Sequence, residues 1–154
     1  DVRKNLISLV NTFVRATAGT KHILVVKTNR ADGLLKSPNV RVMTERISEE
    51  QLASLYNMCD CVISFTHGEG VGLPMLEADY FKKPIICHDG GVFRDIQKFV
   101  STRWYTLPSS EIEIDYTHVP GFLKKVFHGT WWKVDEERAI EVIQSTFNTA
   151  LESP

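Results

Sequence analysis

The stretch FTHGEGVGLPMLEADYFKKPIICHDGG, Phe65 to Gly91, decides how the rest of the chain is read. Cys61-Val62-Ile63-Ser64-Phe65 runs into it and predicts a buried parallel strand. Gly68, Gly70 and Gly72 follow at every second position. That spacing lets the backbone turn sharply and approach a ligand without side chains in the way. Pro74 suits the first turn of a helix, where a missing N–H costs nothing. The order is therefore strand, glycine turn, helix. Free amides at such a helix start, with the dipole behind them, attract an oxyanion such as phosphate. Two carboxylates bracket the turn: Glu69 in the loop and Glu77 about one turn into the helix. Carboxylates repel phosphate, so their partners are hydroxyl donors such as sugar or ribose diols. Helix amides beside two diol acceptors fit a nucleotide-sugar.

Upstream, Leu6, Leu9, Val10, Phe13 and Val14 form an i, i+3, i+4 face, which predicts a helix from Arg3-Lys4-Asn5 to about Ala18-Gly19. His22 to Lys27 reads as a strand buried on both faces, and Val40 to Met43 as a short strand. Ser48-Glu49-Glu50-Gln51 is a capping box opening a helix that buries Leu52, Leu55 and Tyr56. Strands alternating with helices at this spacing predict a doubly wound, mostly parallel sheet with helices on both faces. Ligands in such sheets sit beyond the carboxyl ends of the strands, so the loops at Thr28, Thr44, His67 and Asp89 are expected on one rim.

Downstream, His88-Asp89-Gly90-Gly91 turns into an expected helix from Val92 to about Val100, and Trp104 to Pro108 reads as a short strand. Glu111 to Asp115 alternates acids with isoleucines, a pattern that suits a solvated edge better than a metal site. Trp131-Trp132 reads either as a platform for sugar stacking or as packing under the last helix. Asp135 is the expected N-cap of that helix. His67, just before the glycine turn, reads as a hydrogen-bonding loop side chain or as a base.

Glu69-Gly70-Val71-Gly72-Leu73-Pro74-Met75-Leu76-Glu77-Ala78 resembles the Glu-x7-Glu motif of retaining group 1 glycosyltransferases, enzymes of the two-domain GT-B architecture. Lys83-Pro84-Ile85-Ile86 and Asp89-Gly90-Gly91 are similar to the next strand and turn of that family. Val71 departs from it, standing where an aromatic is usual. The resemblance implies a Rossmann-like donor domain, one half of a GT-B enzyme, spanning 1–154 and lacking its first strand and the N-terminal acceptor domain. It implies hexosyltransferase-like transfer from a nucleotide-diphospho-sugar, with retention and no metal or other cofactor, and an isolated fragment that is inactive. Lys4 matches the family's diphosphate-reaching lysine, and Glu69 and Lys4 are the implied catalytic pair. Lys4, Glu69, Gly70, Val71, Gly72, Leu73, Glu77 and Thr44 are the implied donor-binding residues, Thr44 through a loop near the base. Whether Arg3 stands in for an arginine usually found further upstream is left open.

At 154 residues the chain suffices for one domain with a core. A net charge of −1 provides no global field for nucleic acid, so any anion binding is local. No apolar run approaches the ~20 residues of a membrane span, and the expected location is the cytoplasm or the cytoplasmic face of a membrane. Cys59, Cys61 and Cys87 lack metal-finger spacing and read as reduced core thiols. No Asp-x-Asp pair occurs, so no metal is expected at the diphosphate. The expected partners are a nucleotide-sugar, an acceptor of unknown class and the enzyme's own N-terminal domain. Two other readings are an epimerase-like enzyme acting on nucleotide-sugars and a non-catalytic α/β module binding nucleotide or protein.

Overall fold

The computed structural model describes residues 2–117, 119, 121–122, 124–126 and 129–150; Asp1 lies outside them. A 3-10 turn, Val2–Lys4, opens the chain and leads into helix α1, Leu6–Ala16. Asn5 caps α1 in the left-handed region (φ 51°), a conformation that asparagine tolerates better than most residues. The expected start at Arg3 is thus a separate turn, and α1 ends before Gly19. Strands β1, Leu24–Lys27, and β2, Val40–Met43, pair in parallel, Leu24 opposite Val40. Helix α2, Glu49–Met58, begins at the expected capping box. The Ser48 hydroxyl accepts from the Gln51 amide and the Gln51 side chain accepts from the Ser48 amide.

Strand β3, Val62–Ile63, helix α3, Leu73–Tyr80, and strand β4, Ile85–Cys87, follow. Helix α4, Phe93–Ile96, precedes β5, Trp104–Thr106. Strands β3, β4 and β5 form a second parallel ladder in that order. A hairpin of β6, Ser109–Glu113, and β7, Thr130–Val134, pairs antiparallel, and α5, Glu136–Ala150, closes the described chain.

Sheet residues alternate between two cores, as the period of two requires. Ile86 faces a core shared with Leu9, Val10 and Phe13 of α1, Val26 of β1 and Ile143 of α5. Ile85 and Cys87 face the opposite way, onto Tyr56 of α2, Met75 and Ala78 of α3, and Phe93 of α4. Helices therefore cover both faces, as expected of a doubly wound domain. The expectation of one mostly parallel sheet needs correction: the β1–β2 ladder and the β3–β4–β5 ladder are separate among the described residues, bridged by the α1 core.

Several elements differ from their expected lengths: β1 starts at Leu24 rather than His22, and β5 ends at Thr106 rather than Pro108. β3 has two residues rather than five and pairs with β4 alone. α4 stops at Ile96; the chain tightens there into i→i+3 bonds from Lys98 to Asp95 and from Phe99 to Ile96. The acidic alternation begins earlier, at Ser109, and its glutamates are exposed while Ile114 is buried. Asp135 caps α5 as expected, accepting from the Arg138 amide at 3.2 Å.

Candidate functional site

The glycine turn is held from both sides. Gly72 takes φ 70° and caps α3, with Pro74 second in the helix. The amides of Met75 and Leu76 donate to the Gly72 carbonyl, at 2.9 and 3.4 Å. No such backbone acceptor meets the amides of Gly70, Val71, Gly72 or Leu73 among the described residues, so donors are left over at the helix start. A Cβ at Gly68 or Gly70 would meet nothing within 4 Å, which leaves that side of the turn open to a ligand.

Glu69 is drawn out of the turn into an ion triad. One of its carboxylate oxygens accepts from Arg3 Nη1 at 2.9 Å and the other from Lys4 Nζ. Burial alone would push the Glu69 carboxyl up, but the Lys4 and Arg3 donors outweigh it and hold the pKa below the ordinary carboxylate value. Arg3 Nη1 also donates to the Gly68 carbonyl at 2.7 Å. The Arg3 carbonyl in turn accepts from the His67 amide at 2.7 Å and the Thr66 hydroxyl at 3.1 Å. The 3-10 turn is thereby fastened to the carboxyl end of β3.

Glu77, fifth in α3, accepts the Tyr56 hydroxyl at 2.7 Å. Tyr56 is buried, and its ring stacks on Phe81 with centroids 5.1 Å apart. Burial, then the hydrogen bond and charge of Glu77, push the Tyr56 phenol far above its ordinary pKa, so it stays a donor. Lys4, Glu69, Gly72 and Glu77 line one cleft of about 1140 Å³, together with Tyr56 and Thr28. The other implied donor-binding residues, Thr44, Gly70, Val71 and Leu73, do not line that cleft. Thr44 is exposed on its loop, Val71 and Leu73 are exposed, and Gly70 borders open space. Of the four expected rim loops, those at Thr28 and His67 to Gly72 meet there.

The two histidines serve the rim as struts. His67 Nδ1 lies 2.9 Å from the Trp132 carbonyl, and a carbonyl only accepts, so that nitrogen carries the proton. Its ring stacks on Trp131 at 4.9 Å, and its own carbonyl accepts from the Trp132 amide. His88, fully buried, donates from Nε2 to the Thr66 carbonyl at 2.7 Å and accepts the Gly90 amide on Nδ1 at 3.0 Å. It ties the turn after β4 to the end of β3. Trp132 lies over Gly90, where a Cβ would fall 2.0 Å from the indole. The tryptophan pair thus braces the two glycine loops from β7; it neither packs under the last helix nor stands free for a sugar.

His88 gives the rim a pH dependence. Burial pulls its pKa below the ordinary histidine value, against the opposing effect of the Thr66 carbonyl. Below about pH 6.5 the unfolded chain binds a proton that the native imidazole refuses. Stability is therefore full above that pH and declines as the pH falls towards the depressed native value. Denaturant midpoints measured between pH 7 and 5 should fall for the native chain. His88→Gln, which cannot titrate, should show a shallower decline, and parallel slopes would contradict the assignment. Glu69 acts in a lower window: its depressed pKa adds stability above about pH 4.3 that is lost on further acidification.

Sequence reasoning missed Arg3 as a Glu69 partner, Tyr56 as a Glu77 partner and His88 as the link between loops. Tyr56 had a signal, since it fell on the buried face of α2. The cysteines are free, Cys87 fully buried, and no group of three or more metal-ligating side chains occurs among the described residues. Nor is any helix among them long and apolar enough to cross a membrane.

Residues 18–113 match the family described as "Glycosyl transferases group 1". Similar curated proteins include two forms of the serotype-specific mannosyltransferase WbdA of Escherichia coli, each 41% identical over 61 residues. A third WbdA is 39% identical over the same length. Each alignment covers 40% of this chain and 7% of the relative, so the chain matches a small part of those proteins. The strand–glycine turn–helix unit with its two glutamates lies inside the matched span, which takes in more than half of the sequence: the chain belongs to the group 1 glycosyltransferases.

Proposed function

We infer that the chain is the donor-binding half of a retaining GT-B glycosyltransferase and that the cleft beside the glycine turn receives a nucleotide-diphospho-sugar. The observation that carries this reading is the meeting of Lys4, Glu69, Gly72 and Glu77 at one cleft, beside a helix start with leftover amide donors. In this reading the diphosphate takes the amides of Gly70 to Leu73 and the Lys4 ammonium. Charge that builds on it as the sugar leaves is stabilised by donors already in place. Glu77 accepts from the ribose, and Glu69 from hydroxyls of the sugar. Arg3 adds a second cation at the position left open by the sequence. Thr44, exposed on its loop, approaches the base only if that loop moves. The acceptor site, the reaction's stereochemistry and the N-terminal domain belong to the whole enzyme. The relatives are mannosyltransferases, so nucleoside-diphosphate mannose is the first donor to try.

Calorimetric titration with uridine, guanosine and adenosine diphosphates and their sugars tests the reading directly. One nucleotide should bind with a dissociation constant in the micromolar to millimolar range, about 4–8 kcal/mol. Its affinity should be unchanged by a chelator, because amides and ammonium groups need no metal. Loss of binding in the chelator would remove the metal-free reading, and no binding by any nucleotide would favour the non-catalytic module.

A further inference from the structure

His67 is only 9% exposed, and it is held from several sides. Its Nδ1–H donates to the Trp132 carbonyl at 2.9 Å, its own carbonyl accepts from the Trp132 amide, and its ring stacks on Trp131 with the planes 7° apart. Its amide is occupied too, by the Arg3 carbonyl at 2.7 Å. The ring therefore has one orientation. Its second nitrogen, Nε2, has no hydrogen-bond partner among the described residues. Nor is that nitrogen sealed in: the buried side-chain polar atoms without a partner among those residues are Thr12 Oγ1 and Gln97 Nε2. An almost fully buried imidazole thus presents Nε2 to the outside.

That nitrogen can only accept. A neutral imidazole carries one proton, and the Trp132 carbonyl keeps it on Nδ1, so Nε2 offers a lone pair. An ionised diphosphate has no proton to give it, whereas a hydroxyl does. Glu69, two residues along the same loop, is a second acceptor. Between them lies Gly68, where a Cβ would meet nothing within 4 Å. The flank that joins the two acceptors is therefore open. Glu69 lines the cleft that holds Glu77 and Tyr56, and His67 does not. A ligand that leaves the cleft past Glu69 and lies along Gly68 meets His67 next.

We propose that His67 is a further donor-binding residue, whose Nε2 accepts a hydrogen bond from a hydroxyl of the transferred sugar. The inference rests on the donor reading above and extends it by one contact. The nucleotide lies in the cleft with Glu77, and the sugar gives hydroxyls to Glu69 and His67 across the open flank of Gly68. The two acceptors differ in kind. Glu69 is charged and shares its carboxylate with Arg3 and Lys4 in the free chain. His67 is neutral, unpartnered at Nε2 and already fixed in place, so its bond needs no rearrangement of the loop. A sugar with hydrogen in place of that hydroxyl would leave the lone pair unmet, which makes His67 a residue of sugar specificity.

Two variants separate the acceptor from the strut. His67→Asn keeps an amide N–H near the place of Nδ1, able to hold the Trp132 carbonyl, and has nothing at Nε2. His67→Gln places an amide oxygen near Nε2 and gives up that hold. Each is titrated with the tightest-binding of uridine, guanosine and adenosine diphosphates and with its mannose conjugate. His67→Asn should bind the bare diphosphate as the native chain does. It should bind the nucleotide-sugar roughly two- to tenfold more weakly, the size of one neutral hydrogen bond. His67→Gln should recover part of that loss. Long-range proton–nitrogen spectra of the native chain, with the His67 signals assigned by their loss in His67→Asn, should place the proton on Nδ1. Nε2 should then shift with the nucleotide-sugar and not with the diphosphate. A proton on Nε2 of the neutral ring would overturn the proposal whether or not a ligand binds. Equal losses for both ligands in His67→Asn, as a strut alone would give, would overturn it too, and so would no loss for either. If neither ligand binds the native chain, the donor reading falls and this inference with it. If both bind and Nε2 responds to them equally, the donor reading stands and only the role of His67 is lost.

Discussion

Gly72→Ala should lower the stability of the chain by roughly 2–5 kcal/mol, a large part of the 5–15 kcal/mol of an ordinary domain. Two costs combine. At φ 70° a Cβ meets the left-handed penalty of roughly 1–2 kcal/mol. That Cβ would also lie 2.5 Å from Ile96 Cδ1 and 3.2 Å from Phe93 Cε1. Both neighbours are buried in the core under β4, so neither moves freely. Overpacking of this kind costs about 1–3 kcal/mol. Gly70→Ala is the internal control, because its Cβ enters open space. Its stability should stay within about 0.5 kcal/mol of the native chain. Urea titration of the three proteins decides the matter, and equal midpoints for the two variants would show that Gly72 is not required for the turn. The glycines of one motif thus divide by role: Gly72 is held by its backbone and packing, while Gly70 leaves room.

That division could not be read from the sequence, where the three glycines are equivalent in spacing. What was legible is what depends on local chemistry. The capping box at Ser48, the strand at Val40, the helix start after Gly72 and the cap at Asp135 each follow from residues a few positions apart. What was not legible depends on pairs distant in sequence. Tyr56 and Glu77 are 21 positions apart, His88 and Thr66 are 22, and Arg3 and Glu69 are 66. Nothing in the pattern around a tyrosine names the carboxylate its hydroxyl will meet. The tryptophan pair shows the same limit: alternation along β7 sends Trp131 to His67 and Trp132 to Gly90, but the register that decides this belongs to the hairpin with β6. The expected layers, parallel strands with helices on both faces, are present, but among the described residues the strands fall into separate ladders, a pairing that no local pattern announces.

Glu69→Ala and Glu77→Ala should part company when each is titrated with a nucleoside diphosphate and with its sugar. Glu77 already holds the Tyr56 hydroxyl and keeps acceptor capacity for a ribose diol. Its loss should weaken both ligands alike. A hydrogen bond to a charged group is worth ~1.5–3 kcal/mol, or roughly ten- to a hundredfold in affinity. Tyr56→Phe separates this from a change in packing: the ring and its stack on Phe81 remain while the hydroxyl goes. A smaller loss there, again equal for both ligands, would fit a tyrosine that aims Glu77. Glu69 behaves differently because in the free chain it neutralises Arg3 and Lys4. Glu69→Ala removes the carboxylate that Lys4 Nζ bonds, so the bare diphosphate should bind as well as before or several-fold more tightly, and more so at low salt. The nucleotide-sugar gains the same cation but loses its sugar acceptor, so its advantage over the diphosphate should shrink by roughly tenfold or more. Circular dichroism of each variant confirms folding. Equal changes for both ligands in Glu69→Ala would leave the carboxylate as a counter-ion with no part in holding the sugar. Unaltered affinities in Glu77→Ala would reduce that residue to a partner for Tyr56.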